Sequence, residues 1–130
     1  MLQHLTPETI HPPFANYCHG VVVPEKTRLV FCSGQLGINI EGEIPQDTES
    51  QAKLCFESIA AVIKEAGGSL ENVVRINAYV TGREHLQPYM KVRDTFFPEK
   101  PAPASTLLIV SGFTKEIFKV EIEAIAAIAD

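Results

Sequence analysis

The chain has 130 residues, 45% of them hydrophobic, which suits a single domain spanning residues 1–130 around one core. A net charge of −5 with scattered Lys and Arg residues argues against a nucleic-acid groove, because phosphate binding needs concentrated positive charge. No apolar run is long enough to cross a bilayer, and Met1 to Pro7 lack a charged start leading into an apolar segment, so a soluble cytoplasmic protein with no membrane partner is expected.

Residues 1–16 carry Pro7, Pro12 and Pro13 without periodicity and predict an extended arm over the surface. Two β-rich runs follow, 17–23 and 28–33, separated by Pro24-Glu25-Lys26-Thr27, which predicts a hairpin. The second run stops at Ser33-Gly34-Gln35, where the glycine marks either a turn or a close approach to the backbone. Residues 38–45, around Gly42, read as a loop or short hairpin. Asp47 then predicts a helix N-cap, with Glu49 well placed in the first turn. Ala52, Cys55, Phe56, Ile59, Val62, Ile63 and Ala66 recur at helical spacing and predict one apolar stripe, ended by Gly67-Gly68.

Residues 73–81 alternate, with Val74, Ile76, Ala78 and Val80 on one face and Arg75, Asn77, Tyr79 and Thr81 on the other. Thr81 and Glu84 have capping-box spacing, but Pro88 is tolerated best in a first turn, so the second helix is predicted over 86–97 with Leu86, Met90 and Phe97 inward. Pro98, Pro101 and Pro103 forbid its continuation and lead into a strand at 105–111. A turn at Gly112 precedes the last strand, 118–127. There Phe118, Val120, Ile122, Ala124 and Ala126 share one face, while Glu121 and Glu123 sit about 7 Å apart on the other.

This order predicts an α+β fold, a mixed sheet of five or six strands with two helices on one face. Apolar residues on both faces, including Tyr79, Leu107, Ile109 and Ile125, predict that the uncovered face packs against further copies of the chain. Cys18, Cys32 and Cys55 form no disulfide framework and read as three buried thiols. His4, His11, His19 and His85 show no ligand spacing, so no metal site is expected.

Taken together, Tyr17 after the Pro-rich arm, Leu29 to Gln35, Ala66 to Val74, Ser105-Thr106 and Val120 to Ala126 resemble the Rid/YjgF family of reactive-intermediate deaminases over nearly the whole chain. The resemblance implies a chorismate-mutase-like fold, a homotrimer, and a small-molecule cleft at each subunit interface. It implies hydrolysis of small enamines or imines to the keto acid and ammonia without a cofactor. By the same resemblance Glu121 positions or activates the water, and Tyr17 lines the cleft. Ser33 and the Gly34 backbone hold the polar end of the ligand, and Ser105 and Thr106 lie near its anchor.

The family's carboxylate-binding arginine falls at Ala104, whose methyl group cannot replace a bidentate guanidinium. Arg93 is read either as a rim arginine with a packed stem or as a replacement cation reaching the cleft, with Arg75 a second candidate. The chemistry has its own logic, because C=N hydrolysis needs a proton shuttle and a partly dry carboxylate has its pKa raised toward neutrality. A non-catalytic trimeric binding module is the alternative. An RNA-cleaving role, implied by another name of the family, fits poorly with the acidic charge and the lack of a basic groove.

Overall fold

The computed structural model describes all 130 residues. Eight main elements follow one another: β1 (Gln3–Leu5), β2 (Gly20–Val22), β3 (Thr27–Leu36), α1 (Thr48–Glu65), β4 (Val73–Val80), α2 (Leu86–Phe96), β5 (Ala104–Ile109) and β6 (Val120–Ala129). The fold is α+β, as the order of periodicities predicts. Its six strands divide between a four-stranded sheet, β3-β6-β4-β5, and a two-stranded one, β1-β2. Antiparallel pairing joins β3 to β6 and β6 to β4, and β4 pairs in parallel with β5. The parallel pair needs a long crossover, and α2 supplies it.

The predicted hairpin of 17–23 with 28–33 does not form. β2 pairs with β1 of the N-terminal arm, and β3 pairs with β6. The partner strand, Gln3–Leu5, is three residues long, and a strand that brief shows no periodicity in the sequence. β3 also runs on to Leu36, past the predicted stop, because a bulge between Cys32 and Gln35 absorbs Ser33 and Gly34 without ending the ladder.

α1 begins where its cap predicts, with Ser50 N donating to Asp47 Oδ2 at 2.9 Å. It ends at Gly67, φ 93°, with Gly67 N bonded to Lys64 O and Gly68 N to Ile63 O, each at 3.0 Å. That double closure satisfies carbonyls the helix leaves open and needs the left-handed conformation glycine allows. Ala52, Cys55, Phe56, Ile59 and Ile63 are buried against Ile76, Ala78 and Val80 of β4 and Val120, Ile122, Ala124 and Ala126 of β6. Phe56 centres the cluster, its ring 5.2 Å from Phe96, 5.7 Å from Phe97 and 6.1 Å from Tyr89.

Two assignments within the helices need correction. Val62 lies at the margin of the stripe and is 37% exposed. In α2 the deepest residue is Tyr89, while Leu86 and Met90 are only partly buried. The capping-box spacing at Thr81 is not used either. A short 3-10 turn, Arg83–His85, leads into α2 without a side-chain cap.

Both helices lie on one face of the large sheet. Gln51, fully buried on α1, fixes how β6 enters it. Its Nε2 donates to Pro45 O and Ile117 O, and its Oε1 accepts from Lys119 N, each at 2.8 Å. The start of β6, two residues before Glu121, is thereby tied to the helix layer. The opposite face stays uncovered, with Phe31 70% exposed and Leu29 and Leu108 each 50% exposed. Leu107 and Ile109 do not belong to it: Ser105 pairs in parallel with buried Ile76, so Ser105, Leu107 and Ile109 turn toward the helix side.

Candidate functional site on the open face of the sheet

Strand register decides which polar side chains meet on the uncovered face. Across the sheet, Leu36, Glu121 and Tyr79 form one row, and the bulge, Glu123, Asn77 and Thr106 form the next. Ile125, Arg75 and Ala104 form the third. Alternation along β4, β5 and β6 turns these residues away from the helices, so a polar strip crosses a face that is otherwise apolar.

Glu121 lies against the bulge. A Cβ built on Gly34 would fall 2.8 Å from Glu121 Cδ and 3.1 Å from its Cγ, and closer still to one carboxylate oxygen. The φ of Gly34 is not in the left-handed region, which here holds Gly42, Gly67 and Gly112. Glycine is therefore required at position 34 for the approach of the carboxylate and not for the backbone. Burial, and secondarily the charge of Glu123, push the Glu121 carboxyl above its ordinary pKa. Such a group gives and takes protons closer to neutral pH than a free carboxylate does.

Glu123 has a different role. Tyr79 donates its hydroxyl to Glu123 Oε1 at 2.9 Å, and Asn77 Nδ2 reaches Oε2 at 3.4 Å. Burial first, then that bond to Glu123, push the Tyr79 hydroxyl pKa up, so it stays a donor. Both Glu123 oxygens are occupied, which leaves Glu121 as the carboxylate without a hydrogen-bond partner on this face. The amide oxygen of Asn77 is buried and accepts no bond. Arg75 Nη2 donates to Thr106 Oγ1 at 2.6 Å.

The sequence-predicted residues fall into three groups. Ser33, Gly34 and Glu121 come together at the bulge, and Thr106 joins Arg75 at the β5 edge. Tyr17 stands near that edge, because Cys18 bridges Ala104 and donates its N–H to Pro103 O at 3.2 Å. It also lines a hollow of about 520 Å³ with Thr6, Pro13, Asn16 and Lys100, and its hydroxyl accepts from Phe14 N. Ser105 turns the other way, toward the helices.

Arg93 is also elsewhere: only 3% exposed, its Nε and Nη2 both lie 3.2 Å from Asp94 Oδ1 and its guanidinium sits 5.8 Å from the Tyr89 ring centre. It is neither a wet rim arginine nor a neighbour of Glu121, since α2 covers the opposite face. Asn77 and Tyr79 were missed as site residues. Their alternation was visible, but their pairing with Glu123 required the β4–β6 register.

The three thiols are unsuited to nucleophilic work. All are buried and unpaired, burial pushes Cys55 up to about 12, and it raises Cys18 and Cys32 as well.

A family profile described as Endoribonuclease L-PSP matches residues 9–128. The chain belongs to that family, the Rid/YjgF proteins. Among relatives, TdcF of Escherichia coli K12 is 34% identical over 101 residues, covering 75% of this chain and 78% of TdcF. The 2-iminobutanoate/2-iminopropanoate deaminase of the same strain is 30% identical, covering 75% and 78%. In three dimensions the chain is similar to the Rid-family protein YyfB of Yersinia pestis, with a TM-score of 0.86, 26% identity and 98% of each chain covered. The crystal structure of E. coli TdcF with bound serine matches with a TM-score of 0.72 and 31% identity over 96% of this chain and 94% of that one. No helix is long and apolar enough to cross a membrane.

Proposed function

We propose that residues 1–130 form one unit that hydrolyses a small enamine or imine to a carbonyl compound and ammonia, at clefts between the subunits of a homotrimer. The observation that carries this reading is the Glu121 carboxylate, set against Gly34 with its pKa raised by burial. Glu121 takes a proton from water as the oxygen adds to the C=N carbon, and passes it to the nitrogen. The resulting carbinolamine then loses ammonia as Glu121 carries its hydroxyl proton to the departing nitrogen, so that C=NH plus water gives C=O plus NH₃. Every step uses water and a side-chain proton carrier alone.

The relative named as a 2-iminobutanoate/2-iminopropanoate deaminase supports the substrate class. The bare apolar face at Leu29, Phe31 and Leu108 supports the assembly, since subunits packed there both bury it and give a flat face concave walls. In such a cleft Tyr17 is a wall, and Ser33 with the Gly34 backbone receives the polar end of the ligand. The Ser105 backbone and the Thr106 hydroxyl flank its other end. Three unpaired thiols suit a reducing compartment, which favours the cytoplasm.

One feature favours a non-catalytic trimeric binding module instead: Ala104 presents only a methyl group at the start of β5. Ammonia release from 2-iminopropanoate generated in the assay separates the two. Turnover that falls by about 10²–10⁴-fold in Glu121→Gln is the expected result. Equal rates in wild type and variant, or no turnover by the wild type, would overturn the deaminase reading.

A further inference from the structure

The polar strip holds one cation, and it has no counter-ion. Arg75 forms none of the chain's Lys or Arg ion pairs, which join Arg28 to Asp130, Lys91 to Glu49 and Arg93 to Asp94. The nearby carboxylate of Glu123 is already engaged by Tyr79 and Asn77. Arg75 is half-buried, and its one side-chain hydrogen bond goes to Thr106. A guanidinium carries five N–H donors in a planar fork, so most of its donor capacity is unspent.

Position adds to this. Arg75 lies opposite Ala104, which is buried where Cys18 bridges the start of β5, and its guanidinium turns along the sheet to Thr106. Thr106 draws that group one row of side chains toward Glu121, roughly 7 Å along the strands. Unspent guanidinium donors in a planar fork describe a ligand with an anionic oxygen pair.

We propose that Arg75, oriented by Thr106, is the carboxylate anchor of this site, and that its ligand is a small 2-amino or 2-imino acid. The proposal rests on the deaminase reading for the chemistry but not for the binding. The anchor is thus displaced by one strand from Ala104 and belongs to β4, while Arg93 takes no part.

Calorimetry with L-serine as a stable probe, and with serinol as its carboxylate-free counterpart, tests the anchor. Serine is expected to bind wild type, to weaken about 10- to 100-fold in Arg75→Gln, and to recover in part in Arg75→Lys. Serinol is expected to bind both equally weakly. Thr106→Val, which leaves the charge but removes its orienting acceptor, is expected to weaken serine less than Arg75→Gln does, and serves if that variant misfolds. In the ammonia assay Arg75→Gln is expected to raise KM with little change in kcat.

Wild-type serine affinity in Arg75→Gln, or in Thr106→Val should the first variant misfold, overturns the anchor and leaves the deaminase reading standing. Serine binding that depends on Arg75 in a wild type that releases no ammonia upholds the anchor while the deaminase reading falls. A wild type that neither binds serine nor releases ammonia overturns both.

Discussion

Gly34→Ala isolates the placement of Glu121 from the stability of the fold. The backbone at position 34 tolerates alanine, since its φ is not in the left-handed region. The new methyl carbon would lie 2.8 Å from Glu121 Cδ, whereas carbon atoms in contact sit about 3.5–4.0 Å apart. The carboxyl must therefore retreat by roughly 1 Å. What moves is the free end of a flexible side chain, so the stability loss is expected to stay below about 1 kcal/mol. A proton carrier misplaced by that much loses about 10²-fold in rate.

Gly37→Ala is the matched control. Its Cβ would fall 2.6 Å from Gln51 Cα, in the backbone of α1, where nothing can swing aside. Overpacking there is expected to cost about 1–3 kcal/mol, with no direct contact of the new methyl group on Glu121. Urea denaturation and ammonia release, run on both variants, should give opposite patterns. A Gly34→Ala protein with wild-type kcat would show that the position of Glu121 is irrelevant to turnover.

Two further perturbations probe the electrostatics and the uncovered face. Because the folded-state pKa of Glu121 is raised, the folded chain holds that proton more tightly than the unfolded chain does. Ionisation therefore costs stability as pH rises from the ordinary carboxylate range through the raised value. Glu121→Gln, permanently neutral, is expected to gain melting temperature over wild type at about pH 7 and to lose that advantage near about pH 4. A difference that does not change between those two pH values would contradict a half-buried, raised carboxyl. Phe31→Glu places a charge at the most exposed apolar position of β3, and light scattering at micromolar concentration is expected to drop from the three chain masses of the proposed trimer to one. An unchanged mass would remove this face from the assembly.

The helices were legible because their signals are local. Asp47, the stripe from Ala52 to Ile63 and the Gly67-Gly68 closure all lie within a few residues of what they act on. The same holds for the faces of β4 and β6: alternation alone placed Arg75, Asn77, Tyr79, Glu121 and Glu123 away from the helices. The motif resemblance added the candidate roles of Gly34 and Glu121, and the structure puts those two in contact.

Strand partners were another matter, since β2 was assigned to β3 when it pairs with β1. Arg93 looked like a free cation, but the packing of α2 buries its guanidinium beside Asp94 and Tyr89. Likewise, nothing near residue 75 in the sequence indicates Thr106 as its partner, or Glu123 as the partner of Tyr79. A period of two fixes which side of a sheet a residue occupies, but only the lateral hydrogen-bond register, set by distant chain segments and a bulge, fixes what stands next to it.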